Sequence, residues 1–145
     1  MSGQDLEIKK DDFEAFKALI IDDNDFIRLT ITELLHGFGL KKITEAKDGS
    51  HSLQAVTADT DIIICDIHME PVNGFDFLKN LRASANAKIN KIPVLFLTAD
   101  ADADLVKKAL LLGVSGYLLK PLTREGLKSK LIKLLANKVP LRDAR

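Results

Sequence analysis

The sequence predicts an α/β fold: a doubly wound, five-stranded parallel sheet covered by five helices. Short β-type runs alternate along the chain with longer segments of helical apolar spacing, and one run, IIIC at residues 62–65, is apolar throughout. Strict alternation of strand and helix favours right-handed βαβ units. A continuous apolar strand is typical of a sheet that is buried on both faces.

The five predicted strands are short runs rich in aliphatic and aromatic residues. They are KALII at residues 17–21, KKITEA at 41–46, DIIIC at 61–65, IPVLFL at 92–97 and GYLL at 116–119.

The five predicted helices repeat apolar residues at three- and four-residue spacing. They cover residues 24–38, 50–58, 74–84, 102–112 and 124–136. In the first, Ile27, Ile31, Leu34 and Phe38 form one stripe. We expect residues 1–16 to form a charged N-terminal arm, residues 17–137 the folded domain and residues 138–145 a C-terminal tail.

Composition excludes several classes of function. The chain has 145 residues, 46% of them hydrophobic, which is sufficient for the core of one domain. Its 21 basic and 21 acidic residues give no net charge, unlike a nucleic-acid-binding domain, and no apolar segment predicts membrane insertion. Residues 1–13 lack the apolar stretch of a secretion signal, and Cys65 is the only cysteine. These features indicate a cytoplasmic protein.

The residues that end the predicted strands are the candidates for function, because open parallel sheets bind ligands beyond the carboxyl ends of their strands. These residues are Asp22 and Asp23, Asp66, Thr98 and Lys120. Two carboxylates ~5 Å apart repel by roughly 3 kcal/mol at an effective dielectric constant of ~20, so such a cluster requires a cation. Oxygen ligands without His or Cys favour Mg²⁺.

Each of these residues also has an ordinary structural interpretation when it is taken alone. An Asp or Thr after a strand most often caps the next helix, and a lysine before proline is usually a solvated loop residue. Their shared position on successive strand ends is what indicates a site.

Several motifs resemble those of one family over about residues 17–137. They are the acid pair Asp22 and Asp23, EAKDG at 45–49, DIHMEPVNG at 66–74, TA at 98–99 and GYLLKP at 116–121. In this order and spacing they resemble the receiver domain of two-component response regulators. In size and layout the chain is similar to the single-domain chemotaxis regulators of CheY type. The resemblance implies a flavodoxin-like strand order, 2-1-3-4-5.

The resemblance also implies roles for the acids. Asp66 is the expected phosphoacceptor, which takes a phosphoryl group from a phosphohistidine on another protein. Mg²⁺ is expected to be held by Asp23, Asp66 and the His68 carbonyl, with Asp22 acting through water. Lys120 would supply a second cation to the phosphoryl oxygens and Thr98 a hydrogen bond. A cis bond is expected between Lys120 and Pro121.

The expected output is a protein contact. Phosphorylation would draw Thr98 inward and let Tyr117 rotate, a two-state switch. No DNA-binding or enzymatic segment is evident after residue 136, so the chain is interpreted as a signalling receiver that catalyses only its own phosphorylation and dephosphorylation. Its expected partners are a sensor histidine kinase or histidine-phosphotransfer protein and a downstream target. Helical geometry places Val106 and Leu110 beside Tyr117, and we expect these three residues to form the partner face.

Three alternatives use similar residues. A haloacid-dehalogenase-type phosphatase requires a second Asp two residues after the first, where this chain has His68. A flavodoxin requires a Ser/Thr-rich phosphate loop, where this chain has DDNDF. A pseudo-receiver, which binds proteins independently of phosphorylation, is the alternative that remains, although every position of the expected site carries a competent residue type.

Overall fold

A parallel sheet of five strands forms the centre of the protein. The structure is a computed structural model that describes residues 8–70, 72–100 and 102–138. The strands, all paired in parallel, are β1 (Lys17–Ile21), β2 (Lys42–Ala46), β3 (Ile62–Asp66), β4 (Val94–Thr98) and β5 (Gly116–Leu119). Their spatial order is β2-β1-β3-β4-β5, which confirms the flavodoxin-like order. The observed strand bounds differ from the predicted ones by at most two residues.

Helices connect successive strands and cover both faces of the sheet. The described residues form six: α1 (Lys10–Phe13), α2 (Asp25–Phe38), α3 (Gly49–Ala55), α4 (Gly74–Arg82), α5 (Ala103–Leu111) and α6 (Arg124–Leu135). Polar N-caps begin most of them, as when the Asn24 side chain accepts a hydrogen bond from the amide of Ile27 at the start of α2. Five helices match predictions; α3 ends three residues early because Val56 adopts an extended conformation.

The prediction of five helices was therefore one too few. The additional helix, α1, has only four residues and lies in the segment that was predicted as an arm. Phe13 of α1 is 1% exposed, and its ring packs 6.2 Å from Phe16 and 6.0 Å from Phe38 of α2. Ile8 is also buried. The described part of this segment thus contributes three apolar side chains to the core.

The core has two layers, one on each face of the sheet. Helices α1, α2 and α6 contribute apolar side chains to the layer on one face, and α3, α4 and α5 contribute to the layer on the other. The side chains of β3 and β4 are buried throughout, because both strands lie inside the sheet and are covered on both faces. No helix within the described ranges has the length and apolar character needed to span a membrane.

Candidate functional site at the carboxyl edge of the sheet

Strand pairing brings the predicted acids together. Ile21 of β1 is opposite Cys65 of β3 in parallel register, so the residues that follow, Asp22 and Asp66, are neighbours at the carboxyl edge. Asp23 is the next residue in the loop after β1. Oxygen atoms from Asp22, Asp23 and Asp66 all lie within 4.8 Å of one another. The structure thus brings the three predicted acids together at this edge.

Two of these carboxylates are buried and share one ammonium group. Asp22 is 1% exposed and Asp66 is 5% exposed, whereas Asp23 is exposed to solvent. Lys120, which follows β5, donates to Asp66 Oδ1 at 3.3 Å and to Asp22 Oδ2 at 3.4 Å. Asp22 also accepts a hydrogen bond from the amide of Asn24 at 2.9 Å. One lysine therefore partly neutralises two acids, and a net negative charge remains.

Burial, together with the remaining negative charge, raises the pKa values of both buried acids. Burial raises the pKa of Asp66, and the neighbouring charge of Asp22 raises it further, although Lys120 opposes both effects. Burial likewise raises the pKa of Asp22, against hydrogen bonding from Asn24 and the charge of Lys120. Each carboxylate is thus held in an environment that favours a proton or a bound cation.

The end of β4 places Thr98 beside Lys120. The carbonyl of Thr98 accepts a hydrogen bond from the amide of Lys120 at 2.8 Å, which continues the pairing of β4 with β5. The Thr98 hydroxyl is buried, accepts from the amide of Asp100 at 3.0 Å and lies 3.3 Å from the Asp100 carbonyl. The peptide bond between Lys120 and Pro121 is cis, as predicted.

Two glycines allow the loop that follows Asp66 to pack closely against its neighbours. A Cβ on Gly74, the first residue of α4, would lie 2.7 Å from the carbonyl oxygen of Asp66. A Cβ on Gly49, the first residue of α3, would lie 2.8 Å from the carbonyl oxygen of Val72. Because only glycine allows these approaches, both positions fix the loop against the end of β3. This gives a physical reason for the two glycines of the EAKDG and DIHMEPVNG motifs.

A cleft opens beside the acid cluster. Its volume is about 290 Å³, and its lining residues are Asp23, His68, Met69, Glu70 and Asn73. The exposed His68 lines the same cleft as Asp23, and its backbone carbonyl remains a predicted metal ligand.

Arg28 of α2 is a buried residue at this site that was not predicted from the sequence. It is 7% exposed and donates to the carbonyl of Asp22 and to the carboxylates of Asp25 and Glu45. An arginine three residues after an acid in a helix is an ordinary surface pattern, so the sequence carries no clear signal for its burial.

The predicted partner face lies on α5 and β5. Leu105 and Leu112 of the α5 region pack on the core beside buried Ala109. Leu110 is 59% exposed and Tyr117 is 37% exposed, while Val106 is half-buried. Lys130 of α6 lies 5.8 Å from the centroid of the Tyr117 ring. The structure thus leaves Leu110 and Tyr117 accessible, and their role in binding remains a prediction.

The donor set suits a hard divalent cation. Mg²⁺ takes oxygen ligands at about 2.1 Å in octahedral geometry, so its ligand atoms lie up to about 4.2 Å apart. The three carboxylates offer oxygen atoms within 4.8 Å of one another, close to this span, and supply the charge that a cation would neutralise.

Comparisons with known proteins agree on one family. The family model described as response regulator receiver domain matches residues 18–132. The chain is 38% identical over 119 residues to chemotaxis protein CheY-3 of Vibrio cholerae, a match that covers 81% of this chain and 90% of that protein.

Solved structures share the fold. The structure of Vibrio cholerae chemotaxis protein CheY4 superposes with a TM-score of 0.74 at 29% identity, covering 83% of this chain and 98% of that one. A chain of the CheX–CheY–BeF3–Mg²⁺ complex from Borrelia burgdorferi gives a TM-score of 0.76 at 25% identity, covering 83% and 89%.

Proposed function

The chain belongs to the response regulator receiver family, and on that premise we propose that it is a stand-alone receiver that is phosphorylated on Asp66. The observation that carries the proposal is the position of Asp66. It ends a buried strand, lies within hydrogen-bond distance of Lys120 and is clustered with two further acids. Coverage of nine tenths of the Vibrio cholerae relative supports a single receiver domain.

Asp66 is the nucleophile in this proposal. One of its carboxylate oxygens attacks the phosphorus of a phosphohistidine on a donor protein, forming an acyl phosphate as the bond from phosphorus to the imidazole nitrogen breaks. The imidazole leaves with the electron pair of that bond. Because the transition state spreads charge over the phosphoryl oxygens, the protein acts mainly by positioning and by neutralising charge.

The residues around Asp66 supply that neutralisation. Lys120, which lies 3.3 Å from Asp66 Oδ1, would bind a phosphoryl oxygen. Asp23, Asp66 and the His68 carbonyl would hold Mg²⁺, with Asp22 acting through water. When bound, the ion would offset the charge of both the acids and the phosphoryl group.

Thr98 and Tyr117 form the proposed switch. The Thr98 hydroxyl is held by the backbone of Asp100, so turning it toward a phosphoryl group on Asp66 requires it to leave those contacts. Tyr117 lies on the adjoining edge strand and is partly exposed, which leaves room for rotation. A local change in charge would then alter the outer surface.

The protein is a signalling protein rather than a metabolic enzyme, as its family indicates. We propose that a sensor histidine kinase or a histidine-phosphotransfer protein donates the phosphoryl group and that a downstream protein binds the face of Val106, Leu110 and Tyr117. A cytoplasmic location fits this exchange between proteins.

Labelling by a small phosphodonor tests the proposal. With acetyl phosphate and Mg²⁺, the intact mass of the wild type should rise by one phosphoryl group, and a chelator should prevent it. Asp66→Asn should remain unlabelled, whereas Asp76→Asn, a change at an exposed acid of α4, should label normally. Absence of labelling in the wild type would favour a pseudo-receiver, and full labelling of Asp66→Asn would exclude Asp66 as the acceptor.

A further inference from the structure

Arg28 occupies an unusual position for a charged side chain. It lies on α2 with only 8% of its side chain exposed, and it contacts the loop that carries the acid pair. We propose that Arg28 is a positioning residue for the divalent-cation site, which fixes the backbone of Asp22 and Asp23 so that their carboxylates meet Asp66. This inference rests on the proposed function, because it assumes that the acid cluster binds Mg²⁺.

The contacts of Arg28 join three parts of the fold. One terminal nitrogen donates to the carbonyl oxygen of Asp22 at 2.5 Å, and Nε donates to Glu45 Oε1 on β2 at 3.0 Å. The other terminal nitrogen donates to Asp25, the first residue of α2. The loop after β1 is therefore tied to the neighbouring strand and to the helix that follows it.

The planar guanidinium group is well suited to this task. Its donors have a fixed geometry, so three acceptors held by one arginine are also held relative to one another. A lysine keeps the charge but has a single nitrogen on a flexible stem. Arg28→Lys therefore separates the effect of the charge from the effect of the geometry.

The charge and the geometry of Arg28 act on cation binding in opposite directions. As a positive charge near the cluster, Arg28 repels a cation, so its loss would strengthen Mg²⁺ binding if charge were its only contribution. As a positioning residue it holds two acids in place, so its loss would weaken binding. Residues that orient metal ligands typically change affinity by about 10- to 100-fold when they are replaced. The sign of the change therefore distinguishes the two effects.

Calorimetric titration with Mg²⁺ provides the test. We expect the Kd of Arg28→Met to rise by about tenfold or more, and that of Arg28→Lys to rise by a similar factor although its charge is kept. Glu45→Gln, which leaves the other contacts of Arg28 in place, should give a smaller increase. Circular dichroism of each variant at the titration temperature verifies that it is folded.

Arg82→Met is the matched control. Arg82 is also partly buried and donates to backbone carbonyls, those of Gly113, Asn90 and Ile92, but these precede β4 and β5 and so lie at the opposite edge of the sheet. Its replacement should lower stability without changing the Kd for Mg²⁺. If the wild type binds Mg²⁺ and folded Arg28→Lys binds it equally tightly or more tightly, the inference is overturned. Failure of the wild type to bind Mg²⁺ would overturn the proposed function as well.

Discussion

At the carboxyl edge of the sheet, two buried carboxylates compete for one ammonium group. Asp22 and Asp66 both accept from Lys120, and Asp23 adds a third negative charge nearby. The three carboxylates therefore repel one another at the place where a cation and a phosphoryl group would bind. A site built for catalysis is expected to cost stability in this way.

Neutralising Asp66 should stabilise the protein in the absence of divalent cations. The pKa of Asp66 is higher in the folded protein than its ordinary value of 3.8. The folded state thus binds more protons than the unfolded state between these two pKa values, and stability falls as the pH rises through that window. Two carboxylates ~5 Å apart repel by roughly 3 kcal/mol before Lys120 offsets part of it, so Asp66→Asn should gain about 1 kcal/mol at pH 7.

Urea denaturation at pH 7 and near pH 3 measures this effect. The advantage of Asp66→Asn should shrink toward zero at the lower pH, where the wild-type carboxyl is protonated in both states. Adding Mg²⁺ at pH 7 should stabilise the wild type more than the variant. A variant less stable than the wild type at pH 7 without Mg²⁺ would show that the cluster is not under repulsion.

Lys120 should matter more for the response to phosphorylation than for the metal. Because Lys120→Ala removes a positive charge beside Asp22 and Asp66, Mg²⁺ binding should be retained or strengthened. Tyr117 is the only tyrosine in a chain without tryptophan, so its fluorescence reports on the switch. Beryllofluoride with Mg²⁺ should change that fluorescence in the wild type but not in Lys120→Ala. A fluorescence change in Lys120→Ala as large as that in the wild type would contradict the role given to Lys120. Loss of Mg²⁺ binding by the variant would contradict it too.

The acids at the strand ends could be identified from the sequence, but Arg28, which contacts the loop that carries two of them, could not. Asp22, Asp23 and Asp66 could be placed together because parallel strands end at one edge. Arg28 could not be identified, because its burial depends on β2 lying beside β1, which brings Glu45 within reach. Contacts made through tertiary packing leave little trace in local spacing.

At the scale of elements, the short helix α1 shows where periodicity fails. Four residues are too few for a repeat of apolar positions, and the surrounding sequence is charged, so the segment gave no helical pattern. Its contribution comes from Phe13 and Phe16, which pack on the layer of α2 and α6. The longer helices were predictable because their apolar stripes continue over at least two turns.

Removing the Phe13 side chain should therefore destabilise the whole domain. Phe→Ala changes at buried sites cost about 3 to 5 kcal/mol, and Phe13 is 1% exposed. We expect Phe13→Ala to lose about 3 kcal/mol in the free energy of unfolding, measured with urea. Lys41→Ala, which breaks an exposed ion pair with Glu14, is the control and should cost less than about 0.5 kcal/mol. Equal stability of Phe13→Ala and wild type would mean that this segment does not pack as described.

Target binding tests whether the exposed face of α5 and β5 is the partner face. Leu110→Lys should weaken binding of the beryllofluoride-activated protein to its target by about tenfold or more, as expected for an apolar anchor, and leave labelling of Asp66 unchanged. Leu29→Lys is a matched control, since Leu29 is 54% exposed, compared with 59% for Leu110, and lies on α2 at the other face of the sheet. Equal target binding by both variants would place the partner face elsewhere.

At the scale of the whole molecule, topology brings the site together. The order β2-β1-β3-β4-β5 places β1 and β3 side by side at the centre, so acids far apart in sequence become neighbours. Alternation of strand and helix predicted a parallel sheet, but several strand orders satisfy the same alternation and handedness. The order followed from the family resemblance rather than from the physical pattern of the residues.

The chemical location of the phosphoryl group tests most directly whether Asp66 is the phosphoacceptor. After reaction with acetyl phosphate and Mg²⁺, borohydride reduction converts an aspartyl phosphate to homoserine, and peptide mass mapping shows which residue changed. We expect homoserine at position 66 alone, with none in a sample that was not phosphorylated. Modification at Asp22 or Asp23, or an unmodified position 66 in a labelled protein, would contradict it.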